Sequence, residues 1–270
     1  MKDSNSKSQN HFNFMSGTSK AIPANSNSYQ RAIVLSSAKN IRKRVHGIVI
    51  RYKPGLETCG VQIESFSLKN LIKGYLPLGV LGSEFNTPGF HIFPFLGKKP
   101  IIKGNEQIEI KIQTKGQEIE ADDVSCSLLV EEITHDDGEQ EKKNPFYILA
   151  GISDSVGLNQ TDKKAILLAN DFSSDVKIHG WVMRYKENLD KLKFDIYSAN
   201  LQRSGGIIEG PMSFAVGGAP FGSPAFNMFP IPGKKPVFET SDSLEIQVTT
   251  SSTTQLNALD LGIALIVEAI

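Results

Sequence analysis

A chain of 270 residues, 40% hydrophobic and 21% charged, has a globular composition and is long enough for one large domain or two ordinary ones. Its 29 Lys+Arg balance 29 Asp+Glu, which excludes a whole-chain pull on nucleic acid, but residues 1–135 carry 17 basic against 12 acidic groups (+5) and residues 136–270 carry 12 against 17 (−5). No apolar run approaches the roughly 20 residues that span a bilayer, and residues 1–10 are rich in Ser, Asn and Lys without an apolar core, so neither a membrane anchor nor a signal peptide is expected.

Residues 1–10 read as a flexible polar arm, and a first module follows over 11–133. Apolar, β-type runs occur at 32–35, 48–52, 90–93 and 124–130. Val61-Gln62-Ile63-Glu64 and Ile108-Glu109-Ile110-Lys111-Ile112 alternate strictly, the pattern of a strand with one wet face. A turn or two of helix is expected at 67–73. The stretch 82–89 is rich in Gly, Pro and Asn, and Pro94 and Pro100 cannot donate to a central ladder, so these segments belong at turns, edges or corners. A charged run centred on Asp136-Asp137-Gly138-Glu139 predicts a linker at 134–143. In the second module, 144–270, Leu192, Phe194 and Ile196 alternate with polar residues, as do Leu244, Ile246 and Val248. Further runs lie around Ile166, Val182, Phe226 and Ile263, and Pro230, Pro232 and Pro236 fall where Pro94 and Pro100 fall in the first. Seven or eight strands per module are expected, with little helix.

The two modules are copies. Asn10, Phe12, Gly17 and Ser19 match Asn144, Phe146, Gly151 and Ser153 at an offset of 134. His46-Gly47-Ile48-Val49-Ile50-Arg51-Tyr52-Lys53 matches His179-Gly180-Trp181-Val182-Met183-Arg184-Tyr185-Lys186 at six of eight positions. Phe93-Pro94-Phe95-Leu96-Gly97-Lys98-Lys99-Pro100 matches Phe229-Pro230-Ile231-Pro232-Gly233-Lys234-Lys235-Pro236, again at six of eight. Leu129-Val130-Glu131 matches Ile266-Val267-Glu268. Two copies are too few for a solenoid or propeller, so each is expected to be a domain with its own core. The fold class is all-β, two tandem antiparallel β-sandwiches.

No residue set announces chemistry. Of five histidines, at 11, 46, 91, 135 and 179, only His46 and His179 are equivalent, and each precedes Gly and a strand, the place of a shared hydrogen-bonding role. No His-x-His pair or Cys/His cluster suggests a metal, which argues against a two-barrel metalloenzyme. Arg51-Tyr52 and Arg184-Tyr185 read as amphipathic strand ends, with a duplicated ligand site as the alternative. Lys98-Lys99, Lys234-Lys235 and Arg42-Lys43-Arg44 read as solvated turns, with phosphate contact as the alternative. Ser204-Gly205-Gly206 lacks the context of a nucleophile elbow, and the acidic linker lacks the spacing of an EF-hand. Cys59 and Cys126 have no cysteine at the matching place in the other copy and are expected to be reduced and buried. The expectation is no enzyme, with no catalytic, cofactor-binding or metal residues and no cofactor.

Two tandem modules of this size, a polar arm, no enzyme motif and a last strand reaching Ile270 together resemble a double jelly-roll major capsid protein of tailless, membrane-containing icosahedral phages. The resemblance rests on architecture across nearly the whole chain and implies jelly-roll modules in homotrimers that present six barrels as a pseudo-hexagon. Partners would be neighbouring capsomers and, through the arm, an internal viral membrane, with no sequence-specific nucleic acid. The location would be the virion, assembled in the host cytoplasm. Every boundary in such a ring could join a +5 to a −5 module. A two-domain carbohydrate-binding or adhesion protein, and a hydrolase acting at the module junction, are the alternatives.

Overall fold

Strict alternation builds half-wet strands in the computed structural model, which describes residues 11–36, 40–88, 91–97, 99–133, 146–203, 206–223, 228–240 and 242–270. The arm expected at 1–10, the linker expected at 134–143, His135, Lys98 and the pair Ser204-Gly205 lie outside the described residues.

The first module runs β1 (Phe12–Thr18), β2 (Gln30–Ser36), β3 (Lys43–Tyr52), β4 (Gly60–Glu64), β5 (Ile72–Gly74), β6 (Leu76–Pro77), helix α1 (Leu78–Leu81), β7 (Ser83–Glu84), β8 (Phe93–Pro94), β9 (Ile101–Ile102), β10 (Gln107–Gln113) and β11 (Val124–Glu132). The second repeats it as β12 (Phe146–Ile152), β13 (Lys163–Ala169), β14 (Val176–Tyr185), β15 (Lys193–Tyr197), α2 (Ala199–Arg203), β16 (Met212–Ser213), α3 (Phe214–Gly217), β17 (Ala219–Pro220), β18 (Met228–Pro230), β19 (Val237–Phe238), β20 (Ser243–Thr249) and β21 (Leu261–Ala269).

The chain is all-β in two mainly antiparallel pairs of sheets. In the first module β1-β11-β3-β7, with β8 and β9 also on β3, faces β2-β10-β4-β6. In the second β12-β21-β14-β17, with β18 and β19 on β14, faces β13-β20-β15-β16. On β10, Ile108, Ile110 and Ile112 point into the space between the sheets, and Leu244, Ile246 and Val248 of β20 do the same. A Cβ on Gly17 or Gly151 would meet the side chains of Ile33 or Ile166 from the opposite sheet, so the two layers pack closely there.

The copies agree down to their irregularities. The ladder between β3 and β11 skips one residue between Val45 and Gly47, and that between β14 and β21 skips one between Ile178 and Gly180. The extra residues are His46 and His179, and each bulge turns its imidazole onto a glutamate of the neighbouring strand. The glycine that follows lets the next segment close in, because a Cβ on Gly47 or Gly180 would stand 2.7 or 2.5 Å from the carbonyl oxygen of Phe93 or Phe229. Gly180→Ala is therefore expected to lower unfolding free energy by about 2 kcal/mol, the usual cost of overpacking against an unyielding neighbour, read from urea denaturation.

Three expectations are corrected. Residues 67–70 form hydrogen-bonded turns and 72–73 belong to β5 rather than to a helix, because Asn70 adopts φ 60° and Glu106 binds the Ser67 amide at 2.6 Å. The short helix comes later, at α1. The strand tally exceeds seven or eight because the segments beside β3 and β14, interrupted by Pro94, Pro100 and Pro236, break into pieces of two or three residues. Finally, each module has a core of its own, but the first module's does not stop at the boundary: its apolar cluster also includes Phe146, Ile148, Ala150, Val182, Ala264 and Ile266 of the second.

Candidate functional site

The shared cluster forms because β12, β14 and β21 are apolar on both faces. On β21, Ile263, Leu265 and Val267 fill the second module's own core, while Ala264 and Ile266 look outward into the first module. Against that outward face the first module lays an edge, a helix and a turn. The edge is β5, which pairs parallel to β12 with Ile72 opposite Ile148 and Gly74 opposite Ala150. A Cβ on Gly74 would sit 2.1 Å from the Ala150 carbonyl oxygen, and its φ of 82° also requires glycine. The helix α1 seats Val80 against Gly262, with Pro77 beside it. The turn after β8 packs the tilted ring of Phe95 on Phe146 at 4.7 Å and places Gly97 against Glu268 and His179.

One rim of the junction is polar. Arg51 donates to Ser83 Oγ at 2.8 Å, the Phe85 carbonyl at 2.9 Å and the Thr87 carbonyl at 2.6 Å. Thr87 Oγ1 in turn donates to the Gly222 carbonyl of the second module at 2.9 Å. Arg184 is fully buried, donates to the Pro220 carbonyl at 3.2 Å, and is held below the usual guanidinium range by that burial. Burial, with Glu57 and Glu84 nearby, pushes the Tyr52 phenol far up. Burial, then the positive charges of Arg184 and Arg51, pulls His91 down. A cleft of about 380 Å³ opens here between Glu84 of the first module and Glu187, Pro220, Phe221, Gly222 and Ser223 of the second.

Burial first, then the negative charges of Glu57 and Glu187, holds the Glu84 carboxyl above the ordinary range. Such a group binds more protons folded than unfolded, so its cost is present at neutral pH and vanishes below its unfolded value of about 4.3. Glu84→Gln should thus raise the melting temperature at pH 8 and leave it unchanged near pH 4, as scanning calorimetry would read.

The structure separates the residues singled out in the sequence. His46 Nε2 lies 2.8 Å from Glu131 Oε2, which also accepts from Arg44 at 3.1 Å, and His179 Nε2 lies 3.0 Å from Glu268 Oε2. These are structural pairs across a bulge, one in each copy. Burial would raise the Glu131 carboxyl, but the hydrogen bonds from His46 and Arg44 outweigh it and hold Glu131 below the usual carboxylate range. Tyr52 and Tyr185 are buried, so the Arg-Tyr pairs face the junction and core rather than a ligand-ready surface. The basic run at 42–44 is likewise folded in, with Lys43 buried and bonded to the Ile41 carbonyl at 3.0 Å. Lys234 stands exposed on its turn. Cys59 and Cys126 are free and buried. Among the described residues, no group of three or more His, Cys, Asp or Glu is placed to hold a metal ion.

The first module keeps the same outward face but leaves it far more exposed. Phe12 and Phe14 are 56% and 55% exposed, whereas their counterparts Phe146 and Ile148 are fully buried. Phe12 packs edge-on to His46 at 5.1 Å. The sequence paired Phe12 with Phe146; the pairs Phe14 with Ile148, Val80 with Val216 and Gly74 with Gly210 follow from the same offsets of 134 and 136 and were the signal for this surface. Compared with family models, curated proteins and solved structures, the chain has no match.

Proposed function

We propose that the chain is a structural shell subunit, a double jelly-roll major capsid protein that assembles as homotrimers presenting six barrels as a pseudo-hexagon. The observation that carries this reading is the strand order. Taking the antiparallel pieces β8 and β9 as one interrupted sixth strand and leaving β5 and the two-residue parallel β7 aside, the first module's sheets read 1-8-3-6 and 2-7-4-5. The second module gives the same two orders. Two interleaved Greek keys wrapped into a jelly roll produce that arrangement. The junction adds support, since modules joined through unlike surfaces are the unit from which a closed ring is made. In this reading the duplication tiles a surface, the arm at 1–10 faces a neighbour or an internal viral membrane, and the protein resides in the virion. The opposite charges of the two modules guide assembly, which raised salt slows.

Electron micrographs of the purified protein test this: six-lobed rings or closed shells are expected, and isolated two-lobed particles that bind glycans would replace it with the adhesion reading. One observation favours a second reading, a hydrolase, because Glu84 and Glu187 line one cleft at the junction and Glu84 is held protonated more readily than usual. Turnover of chromogenic glycosides or esters that Glu84→Gln abolishes would establish it.

A further inference from the structure

The junction inside the chain joins two different surfaces, and duplication has given each module both of them. The second module's outer sheet face is covered by the first module's edge, helix and turn. What remains is the first module's outer sheet face and the second module's edge, helix and turn, which touch nothing comparable among the described residues.

The contrast holds position by position. Gly74 is pressed on the Ala150 carbonyl, while its counterpart Gly210, with a similar φ of 77°, has nothing within 4 Å of where a Cβ would be. Val80 is fully buried on Gly262, while its counterpart Val216 is 60% exposed. Gly97 lies against the His179–Glu268 pair, while Gly233, φ 67°, again has nothing within 4 Å. On the receiving side, Phe146 and Ile148 are covered while Phe12 and Phe14 are more than half exposed. In addition β1 ends its sheet, just as β12 would without β5, so among the described residues no strand pairs with its outer edge.

We infer that the second module of one copy docks on the first module of another in the manner of the internal junction. Residues 208–210 add to the free edge of β1, with Ile208 opposite Phe14 and Gly210 opposite Ser16, the register of Ile72 and Gly74 on β12 carried over. Val216 seats on the outer face of β11, and the Gly233 turn comes to rest on the His46–Glu131 pair. The contact is head-to-tail, so each copy gives one edge and one face, and copies add until the ring closes. This deepens the shell-subunit reading and takes the number of copies from it.

The test uses two full-length variants, Phe14→Asp, which spoils the face, and Val216→Asp, which spoils the edge; Phe14→Ser and Val216→Thr serve if either fails to melt like the parent chain. Sedimentation of the parent chain should show an assembly, and each variant alone should associate at least about 100-fold more weakly, since a carboxylate would be buried without a partner. An equimolar mixture of the two should form dimers and nothing larger, because only one edge and one face remain intact. If both variants assemble like the parent chain, the copies meet elsewhere and the contact is wrong, while the shell reading stands. If the parent chain itself stays single, the shell reading falls and this contact with it.

Discussion

Replacing Ile148 by Asp is expected to abolish the folded state, whereas the equivalent replacement of Phe14 is expected to cost less than about 1 kcal/mol. Ile148 has no exposed surface, pairs across to Ile72 on β5 and to Ile266 on β21, and belongs to the cluster that both modules share. A carboxylate there forfeits the ~2–3 kcal/mol that burial of an Ile side chain supplies and adds the desolvation of an unpaired charge. Together these rival the roughly 5–15 kcal/mol by which domains are stable. Phe14 stands on the same face of the same strand in the other copy, but 55% exposed. Far-ultraviolet circular dichroism and urea midpoints of the two variants measure the difference. Equal effects would mean that the two outer faces are equally covered.

Trp181→Ala is expected to cost about 3–5 kcal/mol, the range for deleting a large buried aromatic. Trp181 is 2% exposed, stacks on Phe229 at 4.5 Å with an 11° tilt, and donates its indole N–H to the Gly217 carbonyl at 3.0 Å. That hydrogen bond ties the central strand of the second module to α3. Trp181→Phe keeps much of the packing and loses the donor, so its cost should be smaller, about 1–2 kcal/mol. As the chain has one Trp, both variants are followed by circular dichroism in urea rather than by fluorescence.

Strand character, the duplication and the shared role of His46 and His179 were legible in the sequence because they depend on local pattern. Ile108, Ile110 and Ile112 declare one wet face without knowledge of the neighbours. The junction was harder to see because burial on both faces erases the period of two: Leu261 to Val267 reads as one apolar run. Comparison between the copies exposes it. Where the covered face carries Ala150 and Ala264, the uncovered one carries Ser16 and Ser127, whose hydroxyls bond at 2.7 Å beside solvent. Phe12 and Phe14 break that polar pattern, and both stay more than half exposed. The helix expected at 67–73 failed for a tertiary reason, since Glu106 arrives from across the module to hold Ser67. The Glu84–Glu187 cleft could not have been read at all, because its two sides lie some hundred residues apart and in different modules.

The most direct test of assembly through unlike module surfaces is the light-scattering mass of the purified chain over a range of concentrations. A species of three times the 29.6 kDa chain, or closed particles built from it, is the predicted result. A single 29.6 kDa species at every concentration would contradict it.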